Sequence, residues 1–102
     1  MDGGIEKLAK IFKIMGDYSR LGIIMVISKA SRTVTEIINA TGMSQTLVSF
    51  HLRALRKAEV VTTRREGPFI YYSLTNPSLI NIIDDLSHII NTGSEMEKIP
   101  GK

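Results

Sequence analysis

Residues 44–56 contain polar and basic side chains whose types suit hydrogen bonding to nucleic-acid bases and phosphates. They are Ser44, Gln45, Thr46, Ser49, Arg53 and Arg56. Glutamine pairs well with adenine, arginine with guanine or a phosphate, and hydroxyl groups with phosphates or base edges. On a helix these side chains lie away from Val48, Leu52 and Leu55, which share an apolar face. The spacing predicts a helix with one buried and one binding face, although an ordinary amphipathic helix shows the same pattern.

The segment that follows this helix favours the nucleic-acid interpretation. Residues 60–66 and 69–74 are rich in β-formers and flank Gly67-Pro68, which predicts a hairpin. Arg64 and Arg65 would lie near its tip, where a hairpin beside a DNA-bound helix meets the backbone or minor groove. Taken singly, two arginines on a hairpin are ordinary solvated charge. Together with the preceding helix they predict a DNA-binding unit.

Five helices must position these side chains. Apolar periodicity predicts a first helix over residues 5–15 and a buried second helix over 19–28, capped by Asp17 or Ser19. Thr33 or Thr35 would cap a short third helix, which ends at the Gly42 turn, and Ser44 would cap the fourth. Pro77 suits the first turn of a last helix over residues 77–91, followed by a loose tail over 93–102.

This order predicts a mainly α fold with a small β-hairpin, a winged helix-turn-helix. The 102 residues fit a single domain, with the helix-turn-helix at 35–57 and the wing at 60–74. The formal net charge is +3, and residues 43–65 hold five Lys or Arg against one acid, Glu59. Positive charge concentrated in the central unit favours an anionic partner.

The absence of cysteine excludes disulfides, thiolate metal sites and thiol redox switches. No apolar run approaches the ~20 residues that a membrane span needs. The N-terminus also lacks the pattern of a signal peptide. We therefore expect a cytoplasmic protein with no membrane partner.

Three sequence elements, taken together, resemble a known family. They are the Asp17-x-Ser19-Arg20-Leu21 element, the Ser44-Gln45, Val48-Ser49, His51-Leu52 and Leu55 series, and the segment RREGPFIYYSLT. Over nearly all of residues 8–91 the chain resembles the ArsR family of winged-helix repressors. The resemblance implies a homodimeric transcriptional repressor that binds a pseudo-palindromic operator in double-stranded DNA. It also implies a dimer interface formed by the first and last helices.

The composition of the terminal helices agrees with a dimer. The last helix is apolar around much of its circumference, and a monomer of this size would leave a large apolar patch exposed. The alternative is that both terminal helices bury these side chains within one chain. The predicted interface residues are Ile5, Leu8, Phe12, Leu79, Ile82, Ile83, Leu86 and Ile90.

The two metal-sensing sites of the family are not recognisable here. Thr33 and Thr35 occupy the positions of a Cys-x-Cys pair, and a hydroxyl does not replace a thiolate for soft ions. The site on the last helix needs an early Asp-x-His and two later ligands. This chain has Asn76-Pro77-Ser78-Leu79 and only His88. We expect no metal and no cofactor, and the inducer is not identified by any motif.

Asp84, Asp85 and His88 could form a different metal-binding cluster, since Asp85 and His88 are three positions apart on one helix. A transition metal wants three or four ligands, which two symmetry-related copies could supply. The simpler interpretation is a solvated acidic face with an exposed histidine.

Three other residues bear on function. His51 is expected to make a structural hydrogen bond on the fourth helix. Phe50 replaces a usually polar residue on the DNA-facing side, and could contact a thymine methyl group or pack against the wing. Glu59 replaces a glycine of the family, so a left-handed backbone there would cost about 1–2 kcal/mol.

The leading hypothesis is a sequence-specific DNA-binding repressor. The predicted DNA-binding residues are Ser44, Gln45, Thr46, Ser49, Phe50, Arg53, Arg56, Arg64 and Arg65. Phe50 and Glu59 favour the alternative, a winged-helix protein-interaction module without specific DNA binding. An enzyme is not expected, because no nucleophile with a base and no phosphate-binding loop is present, and His51 and His88 lie on different elements.

Overall fold

The computed structural model describes residues 2–90 and shows the predicted winged helix-turn-helix. The elements in chain order are α1 (Gly3–Met15), α2 (Tyr18–Lys29), α3 (Val34–Thr41), α4 (Gln45–Lys57), β1 (Val61–Glu66), β2 (Phe69–Leu74) and α5 (Leu79–Ile89). The predicted tail over 93–102 lies outside the described residues. Within residues 2–90, no helix is both long enough and apolar enough to cross a bilayer.

Side-chain caps define where the first three helices begin. The Asp2 carboxylate accepts from the Ile5 amide at 3.0 Å, so α1 starts at residue 3 rather than at the predicted residue 5. Asp17, not Ser19, caps α2. Thr33, not Thr35, caps α3 through a reciprocal pair of bonds with Glu36, at 3.2 and 2.9 Å. Each cap satisfies amides that a helix start leaves without partners.

The last helix begins later than predicted, at Leu79 instead of residue 77. The Asn76 side-chain oxygen accepts from the Ser78 amide at 2.9 Å, which closes a turn around Pro77. Pro77 therefore lies in this turn and not in the first turn of α5. A side chain of Asn commonly competes with helix formation in this way. Ser78 itself makes no side-chain cap.

The core is built around α2, as its nearly continuous apolar sequence predicts. Ile23, Ile24 and Ile27 are buried on α2. They belong to one cluster with buried side chains from α3, α4, the hairpin and α5, which are Ile37, Val48, Leu52, Leu55, Val61, Leu74 and Ile83. Because α4 contributes three of these residues, its orientation relative to α2 and the hairpin is fixed by packing.

The hairpin pairs β1 with β2 from Val61–Leu74 to Glu66–Phe69, in antiparallel register. Gly67 forms its tip with φ of 60°, a backbone conformation that glycine adopts without strain. Arg32, which lies between α2 and α3, adds a short bridge to Tyr72 through two backbone hydrogen bonds of 2.9 and 2.7 Å. The segment before α3 thereby ties the base of the hairpin to the helix-turn-helix.

Candidate nucleic-acid interface

The turn between α3 and α4 determines how α4 leaves the core. Gly42 ends α3 with φ of 76°, and its amide donates to the Ile38 carbonyl at 2.8 Å. The Ser44 hydroxyl accepts from the Leu47 amide at 3.1 Å and caps α4, as predicted. Glycine is needed at such a left-handed helix end, because a Cβ there is strained. The result is the sharp turn of a helix-turn-helix.

One side of α4 is buried and the other is open. Val48, Leu52 and Leu55 are buried, as the spacing predicts. Most of the predicted contact residues on α4 are exposed on the opposite side, and these are Ser44, Gln45, Thr46, Phe50, Arg53 and Arg56. Ser49 is half-buried among them. The structure thus places the seven predicted residues of this segment along one accessible surface. Their contact with DNA stays a prediction.

His51 lies on the buried side of α4 and makes the predicted structural hydrogen bond. It is 6% exposed, and its Nδ1 accepts from Nε of Arg20 at 3.2 Å. Acceptance at Nδ1 requires the tautomer that carries its proton on Nε2. That nitrogen lies 3.9 Å from a carboxylate oxygen of Asp17. The Arg20 guanidinium also donates to the Ile14 carbonyl at 3.3 Å, so these contacts join α1, α2 and α4.

Phe50 is 59% exposed and stands edge-on to His51, with ring centroids 5.3 Å apart. An aromatic ring this exposed is available to a partner on the same surface as Arg53. The prediction that it contacts a thymine methyl group therefore remains open to test.

The two wing arginines have different surroundings. Neighbouring side chains on a strand point to opposite faces, so Arg64 and Arg65 cannot face the same side of the hairpin. The Arg64 guanidinium is bound to Glu66 at 2.9 Å and lies 5.1 Å from the centre of the Tyr71 ring. Arg65 lies opposite Ile70 in the hairpin register and is exposed. Glu66 neutralises part of the charge of Arg64.

A basic cleft of about 510 Å³ lies between α4 and the hairpin. Its lining residues in the described chain are Ser49, Leu52, Arg53, Arg56, Lys57 and Tyr72. All three charged side chains among them are cations. The sequence did not identify Tyr72 as part of this cleft. It lies there because the hairpin packs beside α4, which no spacing in the sequence indicates. Lys57 completes a set of cations that suits a phosphate.

Glu59 follows α4 with φ of 63°, in the left-handed region. Glu59 therefore has the strained left-handed backbone that was considered for it because the family has glycine at this position. The Val60 amide donates to the Leu55 carbonyl at 2.9 Å, which holds this reversal closed. This backbone conformation directs the chain from α4 into β1.

The predicted dimer residues divide into an open set and a buried set. On α1, Ile5, Leu8 and Phe12 are 48 to 55% exposed. On α5 and its C-terminal cap, the exposed apolar side chains are Ile82, Leu86, Ile89 and Ile90. Ile83 is buried in the core of its own chain, and Leu79 packs partly against that core. An apolar hollow of about 210 Å³ lies between α1, α2 and α5.

Two places on the chain were considered for metal binding, the start of α3 and the acidic side of α5. Thr33 is engaged in its capping box, and Asp84, Asp85 and His88 are all exposed on α5. In the part of the chain that the structure describes, no group of three or more His, Asp or Glu could hold a metal ion.

Known proteins are similar to this chain in sequence and in architecture. Residues 17–63 match the family described as bacterial regulatory protein, arsR family. The transcriptional repressor SdpR of Bacillus subtilis is 34% identical over 83 residues, which cover 81% of this chain and 92% of SdpR. The crystal structure of NolR from Sinorhizobium fredii is 35% identical with a TM-score of 0.76, and the match covers 84% of this chain and 86% of NolR. The solution NMR structure of a homodimeric winged helix-turn-helix DNA-binding domain from Mycobacterium bovis is 28% identical with a TM-score of 0.76, covering 85% and 81% of the two chains.

Proposed function

Because the chain belongs to the ArsR family of bacterial regulatory proteins, we propose that it is a sequence-specific DNA-binding transcriptional repressor that acts as a homodimer. The observation that carries this proposal is the open polar and basic side of α4, which lies beside a cleft whose charged residues are all cations. Both features lie on a scaffold shared with SdpR, a transcriptional repressor.

The N-terminal half of α4 is the part that enters the major groove. Helices of this type contact base edges with their first residues. Gln45, Thr46 and Ser49 supply hydrogen-bonding groups there, and Arg53 extends the set along the helix. Ser44 satisfies the Leu47 amide, whereas the first amides of α4 have no acceptor within the helix and suit a phosphate. The base contacts supply specificity and the phosphate contacts set the register.

The cleft and the wing hold the DNA backbone beside α4. Arg56 and Lys57 line a space beside Arg53 that accepts one or more phosphates, and the Tyr72 hydroxyl can donate to the same oxygens. Arg65 contributes a full charge from the hairpin, and Arg64 contributes less because Glu66 is bound to it. These contacts raise affinity for any duplex and make it depend on salt.

Dimerisation follows from the apolar side chains that one chain leaves open on α1 and α5. Contiguous exposed apolar surface of this kind marks an interface. The related domain from Mycobacterium bovis is a homodimer, which supports the same assembly here. Two-fold symmetry would set the two α4 helices in major grooves about 34 Å apart, on a pseudo-palindromic site. Occupation of such a site in a promoter blocks transcription.

Selection from a random duplex pool tests this proposal against the protein-interaction alternative. A repressor enriches one pseudo-palindromic motif at moderate salt, and the motif then shifts in a gel as a complex with two chains. Enrichment of no motif over several rounds would contradict the proposal. In that case the exposed Phe50 would be better explained as part of a protein-binding surface.

A further inference from the structure

A second groove, of about 670 Å³, lies between α1 and the C-terminal end of α4. Its base is apolar and half-buried, formed by Ile11 and Ile14 from α1, Ala54 from α4 and Ala58 at the C-terminal cap of α4. The volume falls within the range of roughly 300–1,000 Å³ that is typical of small-molecule sites. The small side chains of the two alanines leave this space open.

Four exposed lysines surround this apolar base. Lys7, Lys10 and Lys13 extend from α1 and Lys57 from α4, against one carboxylate in the described lining, that of Glu59. Lys10 also lies 3.8 Å from Glu6, but both side chains are largely exposed, so this pair offsets little of the charge. The groove therefore combines an apolar interior with a positive edge.

The apolar base of the groove lies outside the surfaces assigned to DNA and to the dimer, although Lys57 lines both this groove and the basic cleft. Ala58 follows Ser49 by nine residues, about two and a half helical turns, and so lies on the opposite side of α4. The same separation places Ile14 opposite Ile5 on α1. Ala54 lies one turn after Phe50 and Ile11 one turn after Leu8, so the groove borders both proposed interfaces. None of its four apolar base residues is assigned to either interface.

We propose that the groove binds a small amphipathic anion, a carboxylate or phosphate group attached to an apolar body. The ammonium groups attract the anionic group, and the isoleucines and alanines cover the apolar part. A free inorganic anion would leave the apolar base exposed, and a neutral apolar molecule would leave the lysines repelling one another. Charge complementarity and shape together select a molecule that has both parts.

Occupation of this groove would change DNA binding, a consequence that rests on the proposed function. α1 carries part of the dimer surface, and α4 carries the DNA surface. A ligand wedged between them alters the angle of α4 relative to the dimer axis, and hence the spacing of the two helices on the duplex. The molecule would then act as the inducer, since it binds the form that fits the operator poorly.

The binding step is tested without DNA, by calorimetry with decanoate and decyl phosphate below their aggregation concentrations. Decanol and inorganic phosphate serve as the neutral and headgroup-only probes. At least one amphipathic anion should bind once per chain, and more tightly than either control probe. Binding of decanoate alone would identify a carboxylate as the preferred anionic group, and binding of decyl phosphate alone would identify a phosphate. Saturable binding of neither, or equal binding of decanol, overturns the proposal.

The variant Lys7→Gln/Lys10→Gln/Lys13→Gln locates the site, with Lys29→Gln as a control on an exposed lysine of α2. The triple variant should lose at least ten-fold in affinity for the anion, and the control should lose none. Ala54→Leu narrows the groove and should weaken the same binding with all lysines present. If the triple variant instead binds the anion normally and loses only DNA affinity, the groove belongs to DNA and the proposal is wrong. Because these titrations precede any DNA experiment, failure of the repressor proposal would leave their result unaffected.

Discussion

The Nε–H group of Arg20 donates to Nδ1 of His51 at 3.2 Å, across 31 positions of the sequence. This bond joins the first turn of α2 to the middle of α4. The same guanidinium reaches the Ile14 carbonyl near the end of α1. Arg20 therefore ties α4, which carries the proposed DNA-contact residues, to α1 and α2. The contact explains why a histidine lies on the buried side of that helix.

Replacement of Arg20 by alanine should lower the free energy of unfolding by about 1–3 kcal/mol, because it leaves the buried Nδ1 of His51 without its donor. His51→Leu should cost less, since the half-buried Arg20 can turn to water. Urea denaturation of both variants measures the difference. Equal costs, or a larger cost for His51→Leu, would show that packing rather than this hydrogen bond stabilises the contact.

The left-handed backbone at Glu59 gives a second test. Glu59→Gly relieves strain of about 1–2 kcal/mol but raises the entropy of the unfolded chain. We expect a net gain of up to about 1 kcal/mol in stability. Gly67→Ala is the matched reverse change. An added Cβ there meets nothing within 4 Å, so its net cost of about 1 kcal/mol is backbone strain offset in part by the lower entropy of the unfolded chain, with no steric contribution. A destabilised Glu59→Gly would indicate that this side chain contributes contacts that outweigh its strain.

Much of the fold was predictable because local chemistry encodes it. Ser44 and Gly42 mark the turn before α4, and the spacing of Val48, Leu52 and Leu55 identifies its buried side. Helix ends were harder to predict where two side chains, two positions apart, could each serve as the cap. Asp17 rather than Ser19 caps α2, and Asn76 closes a turn that delays α5.

The exposed polar side of α4 was predictable from the sequence, but the contacts between different elements were not. No spacing in the sequence encodes the approach of Arg20 to His51, which depends on how α2 packs against α4. Tyr72 joins the basic cleft only through the register of the hairpin. Glu66 reduces the effective charge of Arg64 by accepting a hydrogen bond from it. The two residues are two positions apart on β1, and this spacing allows the contact without requiring it.

Salt dependence of DNA binding should separate the two wing arginines. Each phosphate contact contributes about 0.9 to the slope of log affinity against log salt. Arg65→Ala should reduce the slope by about one unit and Arg64→Ala by less, because Glu66 already neutralises part of that charge. The double variant should lose up to about two units. Glu66→Gln, which frees Arg64, should steepen the slope. A Glu66→Gln variant with an unchanged slope would mean that Arg64 does not approach the DNA.

A charge placed on the open face of α5 should prevent dimerisation. Ile82 is 61% exposed in the single chain, so Ile82→Glu leaves the core intact while it puts a carboxylate in the proposed apolar interface. We expect a folded monomer by light scattering and circular dichroism. Asn81→Glu, on a neighbouring exposed residue, should remain a dimer. A dimeric Ile82→Glu protein would place the interface elsewhere.

The most direct test of base recognition by α4 is the affinity ratio between the selected duplex and a scrambled one, measured for wild type, Arg53→Ala and the control Lys29→Ala. A lost base contact costs about 1–3 kcal/mol, so the ratio for Arg53→Ala should fall roughly 5- to 150-fold while the control ratio is unchanged. An equal loss on both duplexes would reduce Arg53 to a phosphate contact. A ratio equal to that of wild type, with no loss on either duplex, would contradict the placement of this side of α4 in the major groove.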